Sequence, residues 1–287
     1  MKATGFLVGL LACLAMGCSS PRATAPSDRS AARDAAAAVI DEALLRRDVT
    51  QFASDEFEGR GPGSEGDRRA RAYLASRLAE AGCVPAFADG SWEQPVAIVG
   101  LSTELPERWA FSNREGAEVS FARRDEFIGG IGVQKPEAAI TEAEVVFVGY
   151  GIEAPEQAWD DFKGAELEGK VLLMLNDDPD WDPELFAGER RLYSGRWSYK
   201  YESAARQGAA AAVIVHTTES AGYPWVVVQT GWRGEQLELA AGDEPRTLLN
   251  AWLTEDAARR LVALSGHDLD QLVASARSRE FRPVSLG

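Results

Sequence analysis

The chain has 287 residues, 45% of them hydrophobic, which is enough to bury a sizeable core in one large domain or two modest ones and is not a disordered composition. The formal net charge is −15, with arginines scattered among acids. That balance argues against a nucleic-acid partner, since such affinity rests on clustered Lys and Arg that neutralise phosphates.

In chain order, Lys2 and the apolar run from Phe6 to Met16 predict a secretion signal over residues 1–17, too short to span a bilayer stably. Its end, "LAMGC", resembles the bacterial lipobox, with Ala15 where Leu is usual; ordinary cleavage nearby is the alternative. The expectation is an exported protein lipidated at Cys18 and held to a membrane, on the periplasmic side or the cell surface. Residues 18–47 then read as anchor and tether, the small, polar "SSPRATAPSDRS" followed by a helix over Ala31 to Arg47. With Cys13 in the signal and Cys18 lipidated, Cys83 remains alone, which excludes an intrachain disulfide; it reads as a small buried hydrophobe.

Ala70, Tyr73, Leu74 and Leu78 recur at three and four, predicting an amphipathic helix from Gly66 to Ala81, with Ser64 as N-cap and Gly82 as stop. "QPVAIVGL" predicts a buried strand, and short alternating strands such as "AEVSFA" continue to about Ile140. The grammar then changes. "AEVVFVGYG" and "GKVLLML" are apolar strands, "YKYESAARQG" is a helix ending at Gly208, and "AAAAVIVH" is a third strand, which predicts an α/β unit with a right-handed crossover. "TLLNAWLT" is a further strand, and "EDAARRLVAL" and "DLDQLVASA" are amphipathic helices.

Short motifs carry less than they promise. Gly61, Gly63 and Gly66 satisfy G-x-G-x-x-G, but the acidic "SDEFEGR" is no buried strand and Pro62 stiffens the turn, so dinucleotide binding is rejected. Asp178, Asp180, Asp182 and Glu189 fall at calcium-loop offsets one, three, five and twelve, yet Pro183 stands where the sharp turn needs Gly; the stretch Asp177 to Glu184 reads as a solvated acidic loop. No G-x-S-x-G elbow exists for a serine hydrolase. His216 ends a strand, where α/β folds place functional groups, but no Cys, second His or acid lies at ligand spacing, so a hydrogen-bonded strand-end residue is the simpler reading. His267 reads as a loop or cap residue. Trp181, Trp197, Trp225 and Trp232, with Tyr193, Tyr199, Tyr201 and Tyr223, could line a recognition surface or serve packing, the commoner use.

The ordered stretches "FASDEFEGRGPGSEGDRRARAYLASRLAEAG", "GSWEQPVAIVG", "VVFVGYGIEAPEQAWDDFKG", "LEGKVLLMLNDDP" and "YSGRWSYKYESAARQGAAAAVIVH" resemble the N-terminal half of bacterial secreted aminopeptidases of metallopeptidase family 28, over roughly Asp48 to Gly287. The resemblance implies an α/β fold, an α+β mixture, built from a split N-terminal piece of the zinc-peptidase domain and an inserted, β-rich protease-associated domain. By position, residues 48–101 belong to the peptidase domain, 102–141 are connecting strands, 142–254 the protease-associated domain with a core of its own, and 255–287 a helical return. In that family a His-x-Asp motif, a bridging Asp, a Glu pair, a further acid and a final His hold two zinc ions. Here His216 is followed two places on by Thr218 and His267 by Leu269, so no metal ligand or catalytic residue is carried over to any position. The chain is therefore expected to bind no zinc and hydrolyse nothing alone, two zinc ions belonging to a full-length parent, while the protease-associated domain engages a peptide or protein. A stand-alone peptide- or protein-binding lipoprotein is the alternative.

Overall fold

The computed structural model describes residues 26–287, so the secretion signal and Cys18 lie outside the described residues. The chain divides into two compact units between Gln94 and Pro95. Within the described residues no helix is long and apolar enough to cross a membrane.

The first unit holds α1 (Pro26–Ala38), α2 (Glu42–Phe52) and α3 (Glu65–Glu80). The single helix expected over 31–47 is two, because Asp41 caps α2, accepting from Ala43 N at 2.7 Å and Leu44 N at 3.3 Å. A side chain that satisfies the free amides of a new helix start competes with continuing the old one. At α3 the local chemistry works as expected: Ser64 Oγ accepts from Asp67 N at 3.1 Å, and Gly82 takes a positive φ just past the helix end. Phe57 is buried, its ring 5.6 Å from those of Phe52 and Tyr73, and the Tyr73 hydroxyl donates to Asp48 at 2.8 Å. On the apolar face of α3 Ala70 is buried, while Leu74 is 48% and Leu78 46% exposed. Cys83 is exposed as well, correcting the buried reading: it lies beyond the turn at Gly82, where no element packs over it.

From Pro95 the elements are β1 (Ile98–Leu101), β2 (Arg108–Ser112), β3 (Glu118–Ala122), β4 (Phe127–Ile131), β5 (Val145–Phe147), β6 (Glu153–Ala154), β7 (Trp159–Asp160), β8 (Val171–Leu175), α4 (Trp197–Arg206), β9 (Ala211–His216), α5 (Thr218–Ala221), α6 (Trp225–Gly231), β10 (Gln236–Leu239), β11 (Leu249–Thr254), α7 (Glu255–Leu264), α8 (Leu269–Ala276) and β12 (Val284–Ser285). Six strands form a mixed sheet in the order β12–β5–β8–β9–β11–β4. Its four inner strands are parallel and both edges antiparallel. The fold is α/β, and α4 carries the expected crossover from β8 to β9.

Parallel strands covered on both faces read as unbroken apolar runs, and alternate side chains divide between two layers. Val171, Leu173 and Leu175 of β8 join Val213 and Val215 of β9, Leu261 and Val262 of α7 and Leu269 and Leu272 of α8. Leu172 and Met174 turn the other way with Ala212 and Ile214, toward Tyr201 and Ala204 of α4 and Val228 of α6. The first layer also takes Phe121 and Phe127, before residue 142, and Phe281, after residue 254, so the core is shared across both expected boundaries. "QPVAIVGL" is not a buried central strand: only Ile98–Leu101 is extended, paired with β10 in a separate ladder, and Ile98 is exposed.

Candidate functional site

The parallel strands all end at one sheet edge, the usual place for a ligand in an open α/β sheet. Here the chain leaves β8 through Asn176, Asp177 and Asp178, leaves β9 through Thr217 into α5, and passes Tyr150 shortly after β5. These loops line an open cleft of about 340 Å³, together with Glu255 of α7, Asp270 of α8 and Arg277 just beyond it.

Beneath the floor lies Lys200 of α4, 0% exposed. Its ammonium donates to the carbonyls of Tyr150 and Asp177, both at 2.7 Å, and so joins the loops that follow β5 and β8. Next on the same helix face, Ser203 Oγ donates to Gly151 O at 2.8 Å. The buried Asp161 accepts from Ile152 N at 3.0 Å. Burial pushes the Asp161 carboxyl up and the Lys200 ammonium down, and each partly offsets the other's shift by its opposite charge. Sequence reasoning missed both residues; the sole signal was one Lys among the small and aromatic residues of "YKYESAAR".

The carboxylates around the cleft differ in how far they are committed. Asp177 takes two bonds from Arg191, at 2.7 and 2.6 Å. Glu255 and Asp270 share Arg259, at 2.6 and 2.7 Å. Asp178 is 1% exposed; its Oδ2 accepts from Leu192 N at 3.0 Å and Ser194 Oγ at 3.2 Å, while Oδ1 is buried with no partner among the described residues. Burial raises the Asp178 pKa. Asp180 and Glu219 make no ion pair among the described residues, and Arg277 lies over the Trp181 ring, 4.8 Å from its centroid. The lining is thus strongly acidic.

The remaining sequence candidates scatter. Gly63 and Gly66 shape the start of α3: Gly63 N donates to Asp67 at 3.2 Å, so the turn holds the chain's own carboxylate, and a Cβ on Gly66 would collide with the Phe57 carbonyl. Of the calcium-loop residues, Asp182 caps Glu184 N at 2.9 Å and Glu189 is exposed, so they do not converge with Asp178. His216 is 4% exposed and ringed by Tyr223, Trp225 and Trp252, with Nε2 3.1 Å from the Tyr223 carbonyl. A carbonyl only accepts, so Nε2 carries the proton, and burial lowers the ring's pKa. Trp225 and Tyr223 thus pack on His216, Trp197 and Trp232 on Tyr201, and Trp181 on Tyr150, while Tyr193 and Trp197 remain exposed.

These residues do not fit a two-zinc centre. His216 is committed to a carbonyl inside an aromatic cage, His267 is exposed, and among the described residues no three His, Cys, Asp or Glu side chains group as metal ligands.

No family model and no curated protein matches the chain. Among solved structures it is similar to an aminopeptidase from Aneurinibacillus sp. strain AM-1, at a TM-score of 0.30 and 18% sequence identity, over 70% of this chain. The chain spans 36% of that protein's length.

Proposed function

We propose that this chain engages peptides on behalf of an exported aminopeptidase of the family 28 type and does not itself break the bond. The reading is supported first by the ordered motifs between Asp48 and His216 that resemble that family. The observation that carries it is the acidic cleft at the strand ends, a concave place for a small cationic group with no nucleophile and base paired in it. Residues 142–254 act in this proposal as the protease-associated domain, and Cys18 as the lipid anchor that keeps the chain at a membrane.

The full chain, incubated with chromogenic aminoacyl substrates and added zinc, is expected to give no turnover while binding short peptides in calorimetry. Turnover accompanied by two zinc ions per chain overturns the proposal. Reading the gene past Gly287 separates the peptidase parent, which requires a His-x-Asp motif and a later Glu pair, from the stand-alone binding lipoprotein, which requires neither.

A further inference from the structure

We propose that the outer edge of β4 captures the carboxyl-terminal end of a peptide, with Gly129 pairing the last residue main chain to main chain and Arg124 and Arg233 meeting its carboxylate. The site shares no lining residue with the acidic cleft and takes the opposite end of a peptide.

The backbone of β4 supplies the pairing groups. β4 is the last strand of its sheet, so one side of it has no ladder partner. Gly132 N donates to Leu248 O and Thr254 N to Glu126 O, both at 2.9 Å, and these bonds fix the phase of the β4–β11 ladder. In that phase Ile128 and Gly130 turn their N–H and C=O toward β11, while Phe127, Gly129 and Ile131 turn theirs outward. The outward row is closed on both sides of Gly129. Phe127 O accepts from Arg124 N at 2.7 Å, and Ile131 N donates to Thr103 Oγ1 at 3.2 Å. Between them, neither the N–H nor the C=O of Gly129 has a partner among the described residues. Glycine has no side chain, so its backbone is what lines a hollow of about 270 Å³. Unpaired edge groups of this kind are a template for another chain.

The charge of the hollow selects the occupant. It is lined by Arg123, Arg124 and Arg233 and by no acid, in a chain of net charge −15. Arg123 is paired with Glu107, whereas Arg124 and Arg233 are exposed and make no ion pair among the described residues. The Arg124 backbone is held in place, its carbonyl accepting from Trp225 Nε1 at 2.7 Å and Gln229 Nε2 at 2.8 Å. A bare anion would satisfy the arginines and leave the Gly129 carbonyl idle. A terminal peptide residue satisfies both, its amide N–H donating to Gly129 O and its carboxylate accepting from Gly129 N–H and the guanidinium groups. A strand running through is refused, because the next outward groups on either side, Phe127 O and Ile131 N, are already taken. The captured chain must therefore end here.

The test is calorimetry on the full chain at low salt with five probes. Acetyl-alanyl-alanine has a free carboxylate, its amide has none, acetyl-alanyl-N-methylalanine keeps the carboxylate without the last N–H, acetate is the anion alone, and alanyl-alanine amide carries only an ammonium. Acetyl-alanyl-alanine is expected to bind, and its amide, the N-methyl probe and acetate to bind about tenfold more weakly or worse. The double variant Arg124→Gln with Arg233→Gln changes only exposed side chains and is expected to weaken acetyl-alanyl-alanine about tenfold. Should it fail to fold, Arg233→Gln alone is expected to weaken it several-fold. No binding of acetyl-alanyl-alanine, equal binding of its amide, of the N-methyl probe or of acetate, or unchanged affinity in a folded variant overturns the inference. If alanyl-alanine amide binds and acetyl-alanyl-alanine does not, this inference fails while the peptide reading of the acidic cleft stands; the reverse result supports this inference and removes that cleft from the reading.

Discussion

Replacing Lys200 by Met removes the donor from two carbonyls, the buried one of Tyr150 and the half-buried one of Asp177, and takes a positive charge away from Asp161. Leaving a carbonyl without its donor costs about 1–3 kcal/mol, and urea unfolding of Lys200→Met is expected to show a loss of a few kcal/mol for the two together. Adding Asp161→Asn should recover part of it. Between about pH 7 and 5 His216 contributes to the pH dependence beside Asp161, raised to about 6, and Lys200, lowered to about 7. The folded pKa of His216 lies below the ordinary value because burial disfavours the charged ring, so its contribution is present above the unfolded pKa of about 6.5 and is lost as pH falls through the folded value. Asp161, raised by burial, works in the opposite sense, so the comparison must be with His216→Gln, whose unfolding midpoint should fall less steeply between about pH 7 and 5. Neither Lys200 nor Asp161 was readable from the chain, since what marks them is burial, created by segments far apart in sequence. His216 was readable as far as its strand end and no further: the aromatic cage comes from Trp252 of β11, from Tyr223 in the turn before α6 and from Trp225 at the start of α6.

At the scale of elements, chemistry close along the chain was readable and chemistry across it was not. Ser64, the apolar spacing and Gly82 bounded α3, because caps and stops act within one turn. Strands β5, β8, β9 and β11 announced themselves as apolar runs buried on both sides. Strand β4, "FIGGI", gave no such signal: its glycines are there for neighbours, a Cβ on Gly129 coming within 2.5 Å of Asn250 O and one on Gly130 within 2.8 Å of the Trp232 ring. Ser64→Ala should cost about 1 kcal/mol in urea unfolding, the usual worth of a cap. Gly66→Ala should cost more, since the added methyl meets the Phe57 backbone, which cannot rotate away; equal losses for the two variants would remove that distinction.

For the whole molecule, the division between Gln94 and Pro95 and the shared core set where proteases cut. The first unit buries little beyond Phe57, Gly66 and Ala70 and exposes Leu44, Leu45, Val49, Leu74 and Leu78, whereas the second is closed by two apolar layers. Limited proteolysis is expected to cut between Cys83 and Val96, a stretch without helix or strand, and leave a resistant fragment of about Pro95 to Gly287. A fragment ending near Thr254 instead would mean that α7, α8 and β12 are dispensable to the sheet. Their place in the first layer, through Leu261, Leu272 and Phe281, argues otherwise.

The buried ammonium also turns the chain into its own clock. Acetylating reagents reach amines only through solvent, so Lys135, Lys163 and Lys170, each at least partly exposed, should be modified within the first moments of treatment. Lys200 can react only in molecules whose β5 and β8 loops have come apart. The rate at which mass spectrometry finds acetyl at that position, read under native conditions, therefore counts openings of the sheet edge one molecule at a time. A ligand seated in the cleft should slow that count, without any label attached to the ligand.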